Sequence, residues 1–163
     1  MSKLVRKNSM NTNGFSAASM HSLNQLFHKN IFRIPDYQRG YSWGNDEIDD
    51  FWQDLLNLQE NHQHYTGMIT IETVEPRQMK RWSKEKWLIN QGCKPYYVVD
   101  GQQRLTTIII LIQTLIEYLE SNQKYLSYSK RQIVERYLYK RSANNNLIGY
   151  YFGYEIDDPS YEY

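Results

Sequence analysis

The chain has 163 residues, of which 40% are hydrophobic and 15% aromatic, a composition that can bury one ordinary core. Nineteen Lys and Arg side chains against 18 Asp and Glu leave a net charge of +1, which excludes a uniformly basic nucleic-acid-binding chain, so any basic surface must be local. One cysteine, Cys93, excludes an internal disulfide, and neither a membrane-length apolar run nor a signal-peptide pattern is found, so we expect a cytoplasmic protein without a membrane partner.

Helical and strand-like spacing alternates from the start of the chain. Residues 1–18 are rich in Ser, Asn and small side chains and predict a flexible N-terminal segment. Apolar spacing then predicts a helix from Ser19 and a strand over residues 31–34 that ends at Pro35. Residues 47–58 carry the clearest amphipathic stripe, with acidic side chains near its start, where they suit the helix dipole.

The same alternation continues to the end of the predicted domain. Residues 66–74 and 96–99 are β-prone and predict two strands paired in one sheet. Residues 105–119 are apolar on most sides but longer than a typical strand of about 5–6 residues, and so predict a largely buried helix. A helix around residues 133–138 and a strand-like run over 147–154 complete an α+β or α/β pattern. We assign this pattern to one domain over residues 19–154.

The last residues, 155–163, are acidic and rich in tyrosine, with no helix or strand to complete the chain. Two interpretations are open. One is a solvated tail; the other, which we favour, is the point at which a longer protein continues.

A local basic segment lies between the two predicted strands, over residues 76–94. It carries six Lys and Arg side chains against Glu85, interleaved with Trp82 and Trp87. One interpretation is a DNA contact, in which cations pair with phosphates and the rings stack on bases. The other is a solvated hairpin whose tryptophans pack back on the sheet. The DNA-binding candidates in this segment are Arg77, Lys80, Arg81, Lys84 and Lys86.

A short polar motif, residues 99–107, joins a predicted strand to a predicted helix. The first N–H groups of such a helix lack partners, and the dipole favours an anion there. Gly101 permits close approach, and Arg104 supplies a bidentate cation. Asp100 fits a magnesium ligand, a water-positioning base or a sugar contact. The alternative is an ordinary helix cap in which the side chain of Asp100 binds the backbone, and spacing alone supports the anion site and the cap equally.

A second polar motif, residues 34–43, follows the first predicted strand. Tyr37, Tyr41 and Trp43 offer stacking surfaces, and Gln38 and Arg39 offer contacts to a phosphate or a base edge. The alternative is a structured loop whose aromatic side chains belong to the core, and for the residues alone this alternative is favoured.

Taken together, the two motifs resemble the N-terminal domain of the GmrSD-type (type IV) restriction endonucleases. The resemblance is carried by Phe32-x-Ile34-Pro35-x-Tyr37-Gln38-Arg39-x-Tyr41-x-Trp43, then by Val99-Asp100-Gly101-Gln102-Gln103-Arg104-Leu105-Thr106-Thr107, and it extends over about residues 32–119. It implies a ParB/sulfiredoxin-like α+β fold, a small mixed sheet packed with helices.

The resemblance also implies a function: binding and hydrolysis of a nucleoside triphosphate with Mg²⁺, in a protein that restricts modified foreign DNA as a phage defence. Carried over to this sequence, Asp100 becomes the candidate catalytic residue. The nucleotide-binding candidates are then Gly101, Gln102, Gln103, Arg104, Thr106, Tyr37, Gln38 and Arg39.

The chain departs from complete proteins of this type, which carry a C-terminal region, commonly with an HNH-type nuclease. The four histidines, His21, His28, His62 and His64, form no nuclease pattern, and we expect neither a metal site made by the protein alone nor DNA cleavage by residues 1–163. Two other functions stay open: a ParB-like DNA-binding module without hydrolysis, and a structural domain that positions a nuclease.

Overall fold

The computed structural model describes residues 19–119 and 128–155. The flexible segment predicted for residues 1–18 lies outside these ranges, as do residues 120–127 and nearly all of the predicted C-terminal tail. Within the described ranges the chain forms five α-helices and six strands: α1 (Leu23–Phe27), β1 (Asn30–Ile34), α2 (Asn45–Leu56), β2 (Thr70–Thr73), α3 (Lys86–Asn90), β3 (Lys94–Asp100), α4 (Gln102–Leu119), α5 (Lys130–Tyr137), β4 (Tyr139–Arg141), β5 (Leu147–Tyr150) and β6 (Phe152–Tyr154). The predicted α+β class is confirmed.

The main sheet has four strands in the order β2-β3-β1-β6. Strand β1 lies parallel to both β3 and β6, while β2 lies antiparallel to β3 at one edge. The predicted pairing of the two β-prone runs is therefore confirmed. The run predicted over 147–154 divides, because β5 pairs with β4 in a separate hairpin and only β6 joins the main sheet.

The core is built around β1, whose five residues are all buried. Phe32 stacks on Tyr96 of β3 at 5.9 Å, and the edge of Phe27 meets Phe32 at 5.4 Å. From the helix side, Leu105 enters the same core and is completely buried. Burial on both faces explains why Ile31, Phe32 and Ile34 do not follow a strict apolar–polar alternation along the strand.

Helix α4 is only half buried, so the prediction of a largely buried helix is wrong for its second half. Its first two turns pack on the sheet, but Ile110 and Leu115 are 49% and 42% exposed. The helix has 18 residues, and beyond the sheet its contact is a small cluster in which Ile116 meets Val134 of α5 and Leu138, the residue that follows α5. An 18-residue helix spans about 27 Å, longer than the strands beneath it.

Two other predicted elements are shifted. The first helix begins at Leu23, because Ser22 caps it and exchanges two hydrogen bonds with Gln25. The basic segment forms a 3-10 helix (Gln78–Trp82) followed by α3 instead of a hairpin. Trp82 packs back into the core as that interpretation expected, whereas Trp87 is 44% exposed.

Across residues 19–119 and 128–155, no helix combines the length and the hydropathy that crossing a bilayer requires.

Candidate functional site

The turn between β3 and α4 is formed by one residue, Gly101, with a φ of +79°. A Cβ at this position would lie 2.8 Å from the carbonyl oxygen of Met68, closer than real Cβ contacts come. The turn therefore needs glycine for two reasons: its backbone angle is left-handed, and the segment at Met68, just before β2, approaches it closely. This geometry places the N-terminus of α4 at the carboxyl end of β3, which is parallel to β1.

Asp100 serves the turn rather than the helix. Its Oδ1 accepts a hydrogen bond from the N–H of Gly101 at 2.8 Å, and the side chain is exposed. The first helical bond runs from the N–H of Leu105 to the carbonyl of Gly101. The N–H groups of Gln102, Gln103 and Arg104 lie ahead of that bond and have no intrahelical acceptor. They form an anion-attracting end with one carboxylate at its edge.

The second motif folds over this helix end. We call residues 35–43 the site loop. Gln103 holds it by accepting from the N–H of Ser42 at 2.8 Å and donating to the carbonyl of Gly40 at 3.1 Å. Gln38 returns the contact by donating to the carbonyl of Val99 at 3.2 Å. The two motifs are thus brought together, and both glutamines of the first motif bind loop backbone.

Gln102 differs from Gln103 in one respect. Its Nε2 donates to the carbonyl of Arg39 at 3.0 Å, which fixes the orientation of the amide, since a reversed amide would set two acceptors against each other. Its Oε1 is buried and has no hydrogen-bond donor among the described residues. Buried polar atoms are nearly always paired, so this oxygen is an acceptor that a bound molecule or a water can satisfy.

Arg104 is held beside the helix end by the segment before β2. Its Nη1 donates to the carbonyl of Met68 at 2.9 Å, and its guanidinium lies over Gly67, where an added Cβ would come within 2.5 Å of Nη1. Gly67 has a φ of +94°. Glycine here leaves the room that the guanidinium occupies, a role that the sequence motifs did not indicate.

These groups line a cavity of about 260 Å³ at the start of α4. Two cations, Arg39 and Arg104, and one carboxylate, Asp100, stand among its walls beside Trp43. The site-loop residue Tyr37 is not among the lining residues and is 70% exposed. The limited desolvation of its side chain, and then the carboxylate of Glu72, raise its pKa. The complete lining is Gln38, Arg39, Trp43, Val99, Asp100, Gly101, Gln102, Gln103 and Arg104.

Thr106 also stays outside the cavity lining. Its hydroxyl is buried and donates to the carbonyl of Gln102 one turn earlier at 2.8 Å. Thr107 repeats this bond to the carbonyl of Gln103 and meets the hydroxyl of Tyr41 at 2.9 Å. Both hydroxyls therefore find their acceptors within the first turns of α4, and Thr107 also anchors the site loop through Tyr41.

A larger cavity of about 490 Å³ lies at the opposite end of the strands, between α1 and α5. Phe27, Tyr137 and Tyr151 line it together with Cys93, whose pKa burial raises. Size alone would favour this cavity, or one of about 510 Å³ between α5 and the β4–β5 hairpin, over the cavity at α4. We place the candidate site at α4 because the helix N-terminus, two cations and an unpaired acceptor converge there.

The basic segment presents its cations on the surface, where its two arginines each pair with a carboxylate. Arg77 contacts Glu75 at 2.8 Å, and Arg81 contacts Asp36 at 3.0 Å. The carboxylate of Asp36, and then that of Glu155, raise the pKa of Arg81. The remaining candidates, Lys80, Lys84 and Lys86, are exposed.

Two buried ionic groups were not predicted from the sequence, because each depends on a distant partner. Arg33 of β1 makes a salt bridge with Glu85 at 2.5 Å and lies 5.5 Å from the ring centre of Trp82. An isolated charge in an apolar strand is the signal that could have indicated this pair. Glu155, in the predicted tail, is 8% exposed and accepts from Tyr97 at 2.6 Å. The solvated-tail interpretation therefore does not hold at this residue.

Within residues 19–119 and 128–155, no three His, Cys, Asp or Glu side chains converge as a metal-binding group. Of the residues described as lining the cavity, only Asp100 is acidic. A magnesium ion at this site would thus depend on phosphate oxygens for further ligands, as Mg²⁺ commonly does.

Both motifs lie within the part of the chain that matches a known protein family. No curated protein matches the chain. Residues 23–161 match the family described as "GmrSD restriction endonuclease, N-terminal domain", a range that contains the site loop, the cavity and the basic segment. The match covers most of the chain. The protein is therefore a member of the GmrSD restriction endonuclease N-terminal domain family, which places it in DNA restriction and phage defence.

Proposed function

We propose that the cavity at the start of α4 binds a nucleoside triphosphate with Mg²⁺ and that the domain hydrolyses it as a regulatory or sensor domain of a DNA restriction protein. The observation that carries the proposal is the convergence on one 260 Å³ cavity of a helix N-terminus, two guanidinium groups and the unpaired Oε1 of Gln102.

The size of the cavity indicates how a nucleotide would be seated. Small-molecule sites usually measure about 300–1,000 Å³, so 260 Å³ matches part of a nucleotide rather than its whole. The phosphates suit the N–H groups of the first turn and the side chains of Arg39 and Arg104. The half-buried ring of Trp43 offers a stacking face at the cavity wall.

The polar groups divide naturally into binding and catalytic roles. The side chain of Arg39 has no hydrogen-bond or ion-pair partner among the described residues, so its guanidinium is available to an anion. Gln102 offers its Oε1 to a hydroxyl or amino group of the ligand. Asp100 keeps one carboxylate oxygen beyond its bond to Gly101, which suits a magnesium ion or an attacking water.

The test is a thermal-shift and calorimetric panel of ATP, GTP, CTP and UTP, each with and without Mg²⁺. Arg104→Ala removes a charge-assisted contact worth about 1.5–3 kcal/mol, so we expect affinity to fall by roughly 10- to 150-fold. Arg141→Ala is the matched control, because Arg141 lies outside the cavity and likewise donates its Nη1 to a backbone carbonyl, at 2.8 Å. Equal stabilisation of both variants by Mg²⁺ and NTP would overturn the role of Arg104.

Hydrolysis is tested separately from binding. Asp100→Asn keeps the acceptor for the Gly101 N–H and removes the charge, so we expect binding without Mg²⁺ to persist and turnover to be lost. Phosphate release at the wild-type rate from this variant would exclude Asp100 as the group that activates water.

A second candidate function, DNA binding through the basic segment, is favoured by the exposure of its lysines. Lys80→Glu with Lys86→Glu reverses two exposed cations that have no ion-pair partner within residues 19–119 and 128–155. Binding to a DNA duplex should weaken, and the slope of log affinity against log salt should decrease by about 0.9 for each phosphate that is no longer neutralised. The control is Lys29→Glu, an exposed lysine at the opposite end of β1. Because the control reverses one charge and the test variant reverses two, a control that weakens binding by half as much in free energy would show that only net charge matters.

A structural role without any ligand is the third possibility, and it draws support from the way Gln102 and Gln103 bind the site loop. It predicts that no nucleotide of the panel shifts the melting temperature, with Mg²⁺ or without. That outcome would refute the nucleotide proposal as a whole.

A further inference from the structure

Glu155 is the residue at which the chain leaves β6, and it is buried although it is charged. Only 8% of it is exposed. Its backbone N–H donates to the carbonyl of Ile34 at 3.0 Å, which extends the parallel pairing of β6 with β1 by one bond. Its carboxylate therefore lies where β1 ends and the site loop begins.

Both carboxylate oxygens of Glu155 are engaged. Oε2 accepts from the backbone N–H of Asp36 at 3.1 Å, and Oε1 accepts from the hydroxyl of Tyr97 at 2.6 Å. The guanidinium of Arg81 stands 3.7 Å from Oε2 and pairs with the side chain of Asp36 at 3.0 Å. A buried carboxylate is stable only with such compensation, so these partners fix one another.

The contacts continue into the core. Tyr97 accepts from the indole N–H of Trp82 at 3.2 Å, and the rings of Tyr97 and Trp82 meet edge to face at 5.6 Å. The carboxylate of Glu155 is thus held from one side by β3 and by the 3-10 helix. On its other side it holds the second residue of the site loop.

From these contacts we infer that Glu155 is a positioning residue that couples the segment leaving β6 to the site loop. The inference deepens the proposed function. The part of it that concerns nucleotide affinity rests on that function. Gln38 and Arg39, which line the cavity, follow Asp36 by two and three residues, so the start of the loop fixes where their side chains emerge.

Coupling of this kind is reciprocal. If the position of Glu155 raises the affinity of the cavity for a nucleotide, then a nucleotide in the cavity stabilises the position of Glu155 by the same factor. The occupancy of the cavity is thereby transmitted to whatever follows residue 155. No movement of the sheet is needed, because the link is one side chain long.

The test compares Glu155→Gln with Glu135→Gln by hydrogen exchange of the complete 163-residue chain. Glu135 is the matched control, since it also pairs with two groups, Arg131 and Lys140, but lies on α5. The reporters are the amides of Asp36 and Ser42, both hydrogen-bonded to side chains. We expect their exchange to accelerate about tenfold or more in Glu155→Gln, with exchange in β3 unchanged, and to stay constant in Glu135→Gln.

Tyr97→Phe gives a milder variant that keeps the ring and removes one hydrogen bond, and it should produce a smaller acceleration at the same amides. ATP affinity with Mg²⁺, measured in parallel, should fall about tenfold in Glu155→Gln. Exchange that accelerates equally throughout the domain, or not at all at the reporters, would overturn the inference. Acceleration at the reporters with no ATP binding by the wild type would instead overturn the nucleotide proposal and leave the coupling intact.

Discussion

Replacing Gly67 by alanine separates the position of Arg104 from the stability of the fold. The added Cβ would lie 2.5 Å from Nη1 and 2.9 Å from Cζ of Arg104. Both contacts are with the far end of a flexible side chain, which can rotate away. The substitution should therefore displace the guanidinium from the cavity wall while the backbone of the turn stays in place.

The stability cost is set by the backbone, and the chain offers a matched control for it. Gly67 has a φ of +94° and Gly92 a φ of +88°, but an added Cβ at Gly92 meets nothing within 4 Å. A left-handed angle costs an L-residue roughly 1–2 kcal/mol. Gly67→Ala and Gly92→Ala should therefore lower the free energy of unfolding by similar amounts, measured by urea denaturation.

Ligand binding should distinguish the two variants. Without the charge-assisted interaction of Arg104, binding should be weaker by about 1.5–3 kcal/mol, or roughly 10- to 150-fold in affinity for Mg²⁺ and ATP. Gly92→Ala should bind as the wild type does. The reasoning is refuted if Gly67→Ala binds with unchanged affinity, or if both variants weaken binding equally, because the effect would then follow stability and not the position of Arg104.

Three further outcomes follow from the contacts. Gln103→Leu removes both bonds to the site loop and should lower the free energy of unfolding, measured by urea denaturation, by about 1–3 kcal/mol. The control is Gln113→Leu at an exposed position of the same helix, which should change this free energy by less than about 0.5 kcal/mol. Arg33→Met leaves Glu85 buried without its partner and should cost about 3–5 kcal/mol in the same assay; recovery in the double variant Arg33→Met, Glu85→Leu is expected, and its absence would point to a different cause. Burial and the bond to the Glu155 carboxylate raise the pKa of Tyr97 from 10.0 to about 12, so its contribution to stability is complete below pH 10 and is lost as the pH rises toward 12. In Tyr97→Phe the melting temperature should therefore fall less steeply with pH above 10 than in the wild type. An unchanged dependence of melting temperature on pH would contradict the assignment.

The elements that periodicity defines could be predicted from the sequence. The sequence predicts strand β1, helix α2 and helix α4 within a few residues of their observed bounds, because each carries an apolar pattern with clear end signals. The presence of α2 did not reveal its packing. Only Phe51 is buried on it, against Trp43 and His64, while Trp52 stays 39% exposed.

The sequence named most of the residues that line the cavity, but not the contacts that each of them makes. Strand order and the side-chain partners of an amide cannot be deduced from spacing, so the binding of Gln102 and Gln103 to the backbone of the site loop was not expected. The predictions for Tyr37 and Thr106 in nucleotide binding stay untested, although neither lines the cavity. Gly67 and Glu155 were missed because their importance comes from partners 37 and 119 positions away, Arg104 and Asp36.

The order of strands also governs when the domain can form during synthesis. Strand β1, at residues 30–34, is central in the sheet, yet its neighbours β3 and β6 are made about 60 and 120 residues later. Parallel pairing between distant strands requires loop closure, with its loss of entropy, before any contact forms. A sheet of this kind therefore forms slowly. Because Ile34 pairs with Tyr154, a ribosome must have released nearly the whole domain before β1 has both partners. A nascent chain that carries both polar motifs but not yet β6 therefore has the residues of the site without the sheet that aligns them.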